Sequence, residues 1–249
     1  MEWIDRTAPR VRARVAGVVY LLYFLTAIVG ELFVQQAGVS GLQTNPTFDG
    51  TTASAVFDHQ GVFLTGFVIG LISIALYVAL MAFFYELFKP VSRTITLIAV
   101  FSTLVGQAVA AAGSVLQLGP IVMLGGARYL SVFDHRQLAA LGAVFLNLGA
   151  QAGPVTLVFA GVFQIAIGYV MYRSTFLPRI LGILIALAGV GWFIFVAPPI
   201  TNAIGSYAEI LGFVAEAALM LWLIVKGVND ERWYARATAA GLVVSKPGA

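Results

Sequence analysis

The chain has 249 residues, of which 60% are hydrophobic and only 10% are charged, and its formal net charge is +3. Soluble domains carry about 25% charged residues, so this composition excludes an ordinary soluble domain and indicates an integral membrane protein. The absence of cysteine from the sequence excludes disulfides, thiolate metal sites and cysteine nucleophiles. The surplus positive charge lies in short loops and tails, where it reports membrane topology and not nucleic-acid binding.

Several apolar stretches are long enough to cross about 30 Å of hydrocarbon as helices. We therefore predict an all-α fold, a polytopic membrane helical bundle that forms one transmembrane domain over residues 1–249. Six transmembrane helices are predicted near 15–37, 60–85, 95–118, 142–172, 180–197 and 206–225, with short tails at 1–14 and 226–249. The connection 38–58 is rich in Gly, Thr, Asn and Asp, so we expect an exposed loop there.

The fourth segment is too long for a simple crossing. A continuous helix from Gln137 to Tyr172 would be about 54 Å long at 1.5 Å per residue. Gly153-Pro154 offers a break, because proline removes a helix hydrogen bond and clashes with the preceding turn. We expect residues 137–151 to form a protruding or partly re-entrant external helix. A seventh crossing is the alternative, but it would disturb the alternation of charge described next.

Basic residues are distributed unevenly between the connections. The two tails, the second connection and the fourth connection hold Arg6, Arg10, Arg12, Arg14, Lys89, Arg93, Arg173, Arg179, Lys226, Arg232, Arg236 and Lys246. The other connections hold only Arg128 and Arg136. Because cytoplasmic loops of membrane proteins are enriched in Lys and Arg, this alternation predicts six spans with both termini in the cytoplasm. The tail after Lys226 is expected to lie on the membrane surface.

Carboxylates lie inside two of the predicted spans. Glu216 is near the middle of the apolar run Ser206–Val225, where a charged side chain is expensive and is therefore a functional-site hypothesis. Glu209 precedes it by seven residues and lies on nearly the same helix face. On the first span, Glu31 is followed by Gln35 at the i+4 position and preceded on the same side by Tyr20.

Amide side chains extend this polar interior. Gln107 and Gln117 belong to a stripe of small and polar residues on the third span, which must face protein or water. Asn147 and Gln151 lie in the fourth segment near its expected break. We expect these side chains to line a single cavity that opens outward. The candidate ligand-binding residues are Glu216, Glu209, Glu31, Gln107, Gln117, Gln151 and Asn147.

Three roles for these side chains are left open. No basic residue lies inside a predicted span, so a neutral, protonated Glu216 that hydrogen-bonds to Gln or Ser is one expectation. Hydrogen bonds between membrane helices contribute ~0.6–2 kcal/mol, and helix association alone would explain such a residue. Binding of a cation, a proton or a polar head group is the second role, and catalysis is the third.

The two histidines are the remaining candidates for chemistry. His59 follows Asp58 and His135 follows Asp134, both near predicted external boundaries. An Asp-His pair can orient a general base or a metal ligand, but at a helix boundary it is more often a cap or a surface pair. Two separate histidines do not form a zinc site without further ligands. We therefore predict no catalytic residue, no metal and no cofactor.

Four stretches carry a resemblance to a known family: ARVAGVVYLLY (13–23), GELFVQ (30–35), GYVMYRSTFLPRILGIL (168–184) and EAALMLWLIVKGVN (216–229). Over residues 13–229 the chain resembles the bacterial integral membrane proteins of domain-of-unknown-function family 4386. The resemblance implies a six-helix membrane domain with an acidic residue late in the first span, here Glu31, and another in the last, here Glu216. The family often carries charge on the third span, where this chain has Gln107. The resemblance transfers no activity.

These features predict a multi-pass protein of the inner, cytoplasmic membrane that is not an enzyme. We expect it to bind a small molecule or a lipid, or to serve as an accessory subunit of a membrane assembly. Its expected partners are the lipid bilayer and either another membrane protein or a second copy of the chain, with no nucleic acid. The alternatives are a proton- or cation-linked transporter that uses the three carboxylates and an intramembrane enzyme that uses His59 or His135.

Overall fold

A computed structural model describes residues 7–39 and 47–242. Helices joined by turns and short irregular segments make up these ranges, which contain no strand, so the predicted all-α fold is confirmed. The helices are α1 (Pro9–Gln36), α2 (Gly50–Asp58), α3 (Gln60–Phe88), α4 (Arg93–Leu116), α5 (Gly119–Leu124), α6 (His135–Ala150), α7 (Ala152–Arg173), α8 (Arg179–Trp192), α9 (Pro198–Val225) and α10 (Asp230–Ala239). The parts of both predicted tails at 1–6 and 243–249, with Arg6 and Lys246, lie outside the described residues, as do positions 40–46.

Six helical segments of the described chain are long and apolar enough to cross a membrane: Pro9–Gln36, Gln60–Phe88, Arg93–Leu124, His135–Arg173, Arg179–Val196 and Pro198–Val225. Each segment overlaps one predicted span. The prediction of a multi-pass membrane protein with six spans is therefore confirmed.

The predicted loop 38–58 is wrong in its second half, because α2 occupies Gly50–Asp58. Asp49 begins this helix as its N-cap, and its Oδ1 accepts the backbone N–H groups of Thr51 and Thr52, both at 3.0 Å. Such a cap satisfies two of the donors that a helix start leaves without partners. Ala53 and Val56 on the same helix are fully buried, so the short helix is also held by packing.

The fourth segment is interrupted by one residue. Helix α6 ends at Ala150 and α7 begins at Ala152, so the interruption is at Gln151, just before Gly153-Pro154. Gln151 keeps near-helical backbone angles, φ −65° and ψ −16°, and its N–H still donates to the carbonyl of Asn147. Pro154 therefore falls in the first turn of α7, where a missing N–H removes no intrahelical hydrogen bond. The re-entrant or protruding position of 137–151 stays a prediction.

Internal contacts divide the chain into two compact units. The first unit contains the described parts of Met1–Leu22, Leu76–Val105 and Leu157–Ala249, and the second contains those of Tyr23–Ala75 and Gly106–Thr156. Each unit contains one part of α1, α3, α4 and α7, because the boundaries between the units fall within these four helices.

In the first unit, glycines allow α7 and α8 to pack closely. A Cβ atom on Gly161 would lie 2.8 Å from the carbonyl oxygen of Gly189, and one on Gly168 would lie 2.7 Å from that of Gly182. These distances are too short for any larger residue without a shift of the backbone. The small residues that the sequence shows at Gly182 and Ala186 therefore serve packing within the chain.

In the second unit, the short helices α2, α5 and α6 pack together and cover an apolar core. The buried residues of this core are Ala37, Val39, Ala53, Val56, Phe63, Ala143 and Leu146. Two pairs of glycines also pack closely in this unit. A Cβ atom added to Gly66 would lie 2.8 Å from the carbonyl oxygen of Gly30, and one added to Gly149 would lie 2.7 Å from that of Gly113.

Candidate functional site

Glu216 is the centre of a hydrogen-bonded group in the first unit. The hydroxyl of Tyr20, on α1, donates to Oε2 of Glu216 at 2.8 Å. The side-chain amide of Gln164, on α7, donates through Nε2 to Oε1 of Glu216 at 2.5 Å. Glu216 itself is on α9, so one polar group joins three apolar helices.

The group is enclosed, and one of its acceptors is unused. Tyr20 is 2% exposed, Gln164 is 1% exposed and Glu216 is half-buried. Oε1 of Gln164 is buried and accepts no hydrogen bond from the described residues. No Lys, Arg or His nitrogen in the described part of the chain lies within 4.0 Å of the Glu216 carboxyl oxygens. The carboxyl is thus bound only by neutral donors.

Aromatic rings surround Tyr20. The ring centre of Tyr20 is 6.0 Å from that of Phe84 and 6.4 Å from that of Tyr77. Phe163 stacks on Phe84 with ring centres 6.2 Å apart, directly before Gln164 in the chain. These rings are almost fully buried, and a low local dielectric strengthens the hydrogen bonds of the group.

The position of Gln164 depends on the glycines of α7 and α8. Gln164 lies between Gly161 and Gly168 on the face of α7 that meets α8. A Cβ atom on Gly189 would approach the Cβ of Gln164 to 2.9 Å, so the glycine of α8 leaves the space that the glutamine occupies. Close packing of these two helices therefore fixes the amide next to Glu216.

Glu209, the second predicted carboxylate of α9, lies outside this group. It is half-buried and makes no hydrogen bond with its side chain in the described chain. Glu209 and Glu216 share a helix face, as the spacing of seven residues predicts. Of these two carboxylates, Glu216 alone accepts hydrogen bonds from other helices within the described residues.

The other predicted site residues belong to the second unit, where the structure shows a different use for some of them. Nδ2 of Asn147 donates to the carbonyls of Phe48 and Ala143, both at 2.8 Å, and its Oδ1 accepts the N–H of Phe48 at 3.0 Å. The Asn147 amide therefore fixes the backbone just before α2. Glu31 accepts a hydrogen bond of 3.2 Å from Gln35, the i+4 neighbour noted in the sequence.

The side chains of the three remaining glutamines make no hydrogen bond with the part of the chain that the structure describes. Gln117 is half-buried and its Cγ would lie 2.7 Å from a Cβ on Gly149, so it fills the space above that glycine. Gln107 is half-buried, and Gln151 is exposed at the end of α6. The convergence of the full predicted set on one cavity stays a prediction.

The histidines lie at helix ends. His59 is exposed at the end of α2, with its Nδ1 3.0 Å from the carbonyl oxygen of Ala55. His135 is the exposed first residue of α6, and the preceding Asp134 caps that helix by accepting the N–H of Gln137 at 2.8 Å. Within the described ranges, no group of three or more His, Cys, Asp or Glu side chains could hold a metal ion.

Sequence reasoning missed Gln164. The signal available was that Gln164 is the one amide or charged side chain between Val155 and Val170, with Gly161 and Gly168 on either side of it. For Tyr20, the sequence indicates only its alignment with Glu31 along α1. Its hydrogen bond to Glu216 connects residues 196 positions apart and could not be read from one helix.

One comparison with known proteins gives a match. The family model described as a domain of unknown function, DUF4386, matches residues 15–227, which is most of the chain. No curated protein and no solved structure matches.

Proposed function

The chain belongs to the DUF4386 family, and from that premise, which brings no activity with it, we propose that the protein is a non-enzymatic binding protein of the bacterial inner membrane. Its ligand is a small organic compound with a primary ammonium group. Glu216, Tyr20 and Gln164 bind the ammonium group between α1, α7 and α9.

The observation that carries this proposal is the unpartnered Oε1 of Gln164. The Nε2 of the same amide donates to Glu216, so the free oxygen lies beside the carboxyl. An unsatisfied buried acceptor costs about 1–3 kcal/mol, and such groups in native proteins have an explanation in structure or function. A ligand that brings N–H donors to this point would satisfy it.

Charge and donor count favour an ammonium ligand. Buried charges in proteins are paired or neutralised, and Glu216 has only neutral donors from the described chain. A primary ammonium carries one positive charge and three donors, which match the oxygens of Glu216, Tyr20 and Gln164. The rings of Tyr77 and Phe84 offer apolar and π surface nearby, which favours an organic cation over a metal ion.

The test is a binding titration of the full chain in lipid nanodiscs with ethylammonium as the probe. We expect Glu216→Gln to weaken binding by at least about tenfold, which corresponds to 1.4 kcal/mol. Glu209→Gln is the matched control, because it removes a half-buried carboxyl from the same helix and leaves the hydrogen-bonded group intact. Equal affinities for wild type, Glu216→Gln and Glu209→Gln would exclude the proposed site.

Proton-linked transport is a second candidate, and it is favoured because no cationic side chain of the described residues lies within 4.0 Å of the Glu216 carboxyl. A carboxyl within a membrane helix that binds a proton or a cation in turn is a common element of transporters. Proteoliposomes would then show ethylammonium uptake that depends on a pH gradient and is lost in Glu216→Gln. Binding without gradient-dependent uptake would leave a binding protein and exclude the transporter.

A further inference from the structure

A cleft of about 330 Å³ opens in the first unit where α9 ends. Helix α9 is the last apolar segment of the described chain and ends at Val225, and the cleft is formed by residues on both sides of that end. A site at the end of a membrane span lies at the level of the lipid head groups. The lining residues that carry charge or aromatic rings are Arg10, Phe176, Trp222, Lys226, Asp230 and Glu231.

Two cations and two carboxylates share this cleft. The backbone N–H of Arg10 donates to Oδ1 of Asp230 at 2.7 Å, and Nε of Arg10 donates to the carbonyl of Lys226 at 3.2 Å. Arg10 is thus held in place while its terminal nitrogens make no hydrogen bond with the described residues. Lys226 and Glu231 are exposed.

A glycine turn brings the two sides of the cleft together. Gly227 follows α9 with a φ of +66°, a conformation that side chains other than glycine rarely adopt. A Cβ atom there would also lie 3.0 Å from the carbonyl oxygen of Arg10. Gly227 therefore permits both the turn and the close approach of the start of α1.

We propose that this cleft binds a phosphoethanolamine head group of a membrane phospholipid. The guanidinium of Arg10 and the ammonium of Lys226 bind the phosphate, since both are strong donors to phosphate oxygens. The carboxylates of Asp230 and Glu231 accept the N–H donors of the ethanolamine. Trp222 also lines the cleft, and an indole ring is favoured at the membrane interface.

This charge arrangement selects among lipids. Phosphatidylglycerol carries a phosphate but no ammonium, so it leaves Asp230 and Glu231 unmatched. Phosphatidylcholine carries a quaternary ammonium without N–H donors, so it forms no hydrogen bond with the two carboxylates. The site is separate from the Glu216 group and does not depend on the function proposed for it.

Native mass spectrometry of the full chain in detergent, titrated with each of the three lipids, tests the proposal. We expect phosphatidylethanolamine to bind most tightly and Lys226→Gln or Glu231→Gln to weaken it about tenfold each, as the loss of one charge-assisted contact predicts. Arg173→Gln is the control, because Arg173 is an exposed basic residue at the end of α7 outside the cleft. Circular dichroism of each variant confirms that the helices are retained.

The lipid affinities measured in this titration decide whether the proposal stands. Equal binding of all three lipids, or phosphatidylethanolamine affinities of Lys226→Gln and Glu231→Gln equal to that of Arg173→Gln, would overturn the proposal. Added phosphoethanolamine distinguishes two sources of the same chemistry. If the free head group displaces the lipid, the head group alone is sufficient. If it does not, while the two variants still lose affinity, the intact lipid is the ligand.

Discussion

At the scale of single residues, the hydroxyl of Tyr20 is expected to stabilise the fold through Glu216. Tyr20→Phe removes that donor and leaves Oε2 of Glu216 without it, while the ring and its packing remain. Hydrogen bonds between membrane helices average about 0.6 kcal/mol and reach about 1.7, so we expect a loss of that order in the free energy of unfolding. Denaturation in mixed detergent micelles measures it. Tyr207→Phe, on the exposed side of α9, serves as the control, and a loss as large in that variant would contradict the prediction.

Glu216 and Gln164 show how far single residues can be read from sequence. Glu216 stands out because a carboxylate in an apolar run is expensive, and that signal requires no knowledge of neighbours. Gln164 is less conspicuous, because an isolated amide in a membrane helix has several ordinary explanations. The decisive fact, that these two side chains meet, depends on the packing of α7 against α9 and not on either helix alone.

At the scale of elements, Trp233 is expected to hold α10 on the protein. Its side chain is fully buried, its Nε1 donates to the carbonyl of Leu87 at 2.8 Å, and the Arg12 guanidinium lies 4.8 Å from its ring centre. Removing a buried tryptophan costs about 3–5 kcal/mol, so we expect Trp233→Ala to release α10 and to speed its amide hydrogen exchange. Tyr129→Ala removes an aromatic ring that is 70% exposed and should leave the exchange of α10 unchanged.

Helix α2 is expected to weaken in acid because of its cap. Hydrogen bonding, first from the Thr51 side chain and then from the Thr52 backbone, lowers the pKa of Asp49 below its usual value of 3.8. A lowered pKa in the folded state means that the cap stabilises the helix above the unfolded pKa and is lost as the pH falls through the folded one. Backbone chemical shifts of α2 between about pH 6 and pH 2 would follow this change. In Asp49→Asn the amide oxygen still caps the helix, so the acid transition of α2 should disappear; its persistence would contradict the assignment.

Hydropathy locates the helices of this chain better than it locates their ends, because polar residues at a helix end are held by tertiary contacts. The apolar run of the first span begins after Arg14, yet α1 begins at Pro9. Arg14 lies in the second turn of α1, and its Nη2 donates to the carbonyl of Val225 at 3.1 Å, near the end of α9, which ties this polar start of the helix to the protein. Arg12 forms an ion pair instead, with its Nη1 3.9 Å from a carboxyl oxygen of Glu86. Hydropathy records where a helix is apolar, whereas tertiary contacts decide where it ends.

At the scale of the whole molecule, the number of spans follows from composition and the pairing of side chains does not. Each of the six predicted spans needs only a local run of apolar residues, which the sequence displays directly. The group around Glu216 needs contacts between residues as far as 196 positions apart. Such contacts depend on the order and orientation of helices in the bundle, and a single sequence contains no direct record of them.

The orientation of the chain in the membrane is the last prediction, and the absence of cysteine makes it simple to test. Because basic residues favour the cytoplasmic side, the connection after α5 should face away from the cytoplasm and that after α7 should face the cytoplasm. Ser131→Cys and Thr175→Cys each introduce one exposed thiol, in the first and second of these connections. In intact cells, a maleimide that cannot cross the membrane in which the protein lies should label Ser131→Cys only, and disruption of that membrane should expose Thr175→Cys. Labelling in the reverse order would show that both termini lie outside the cytoplasm.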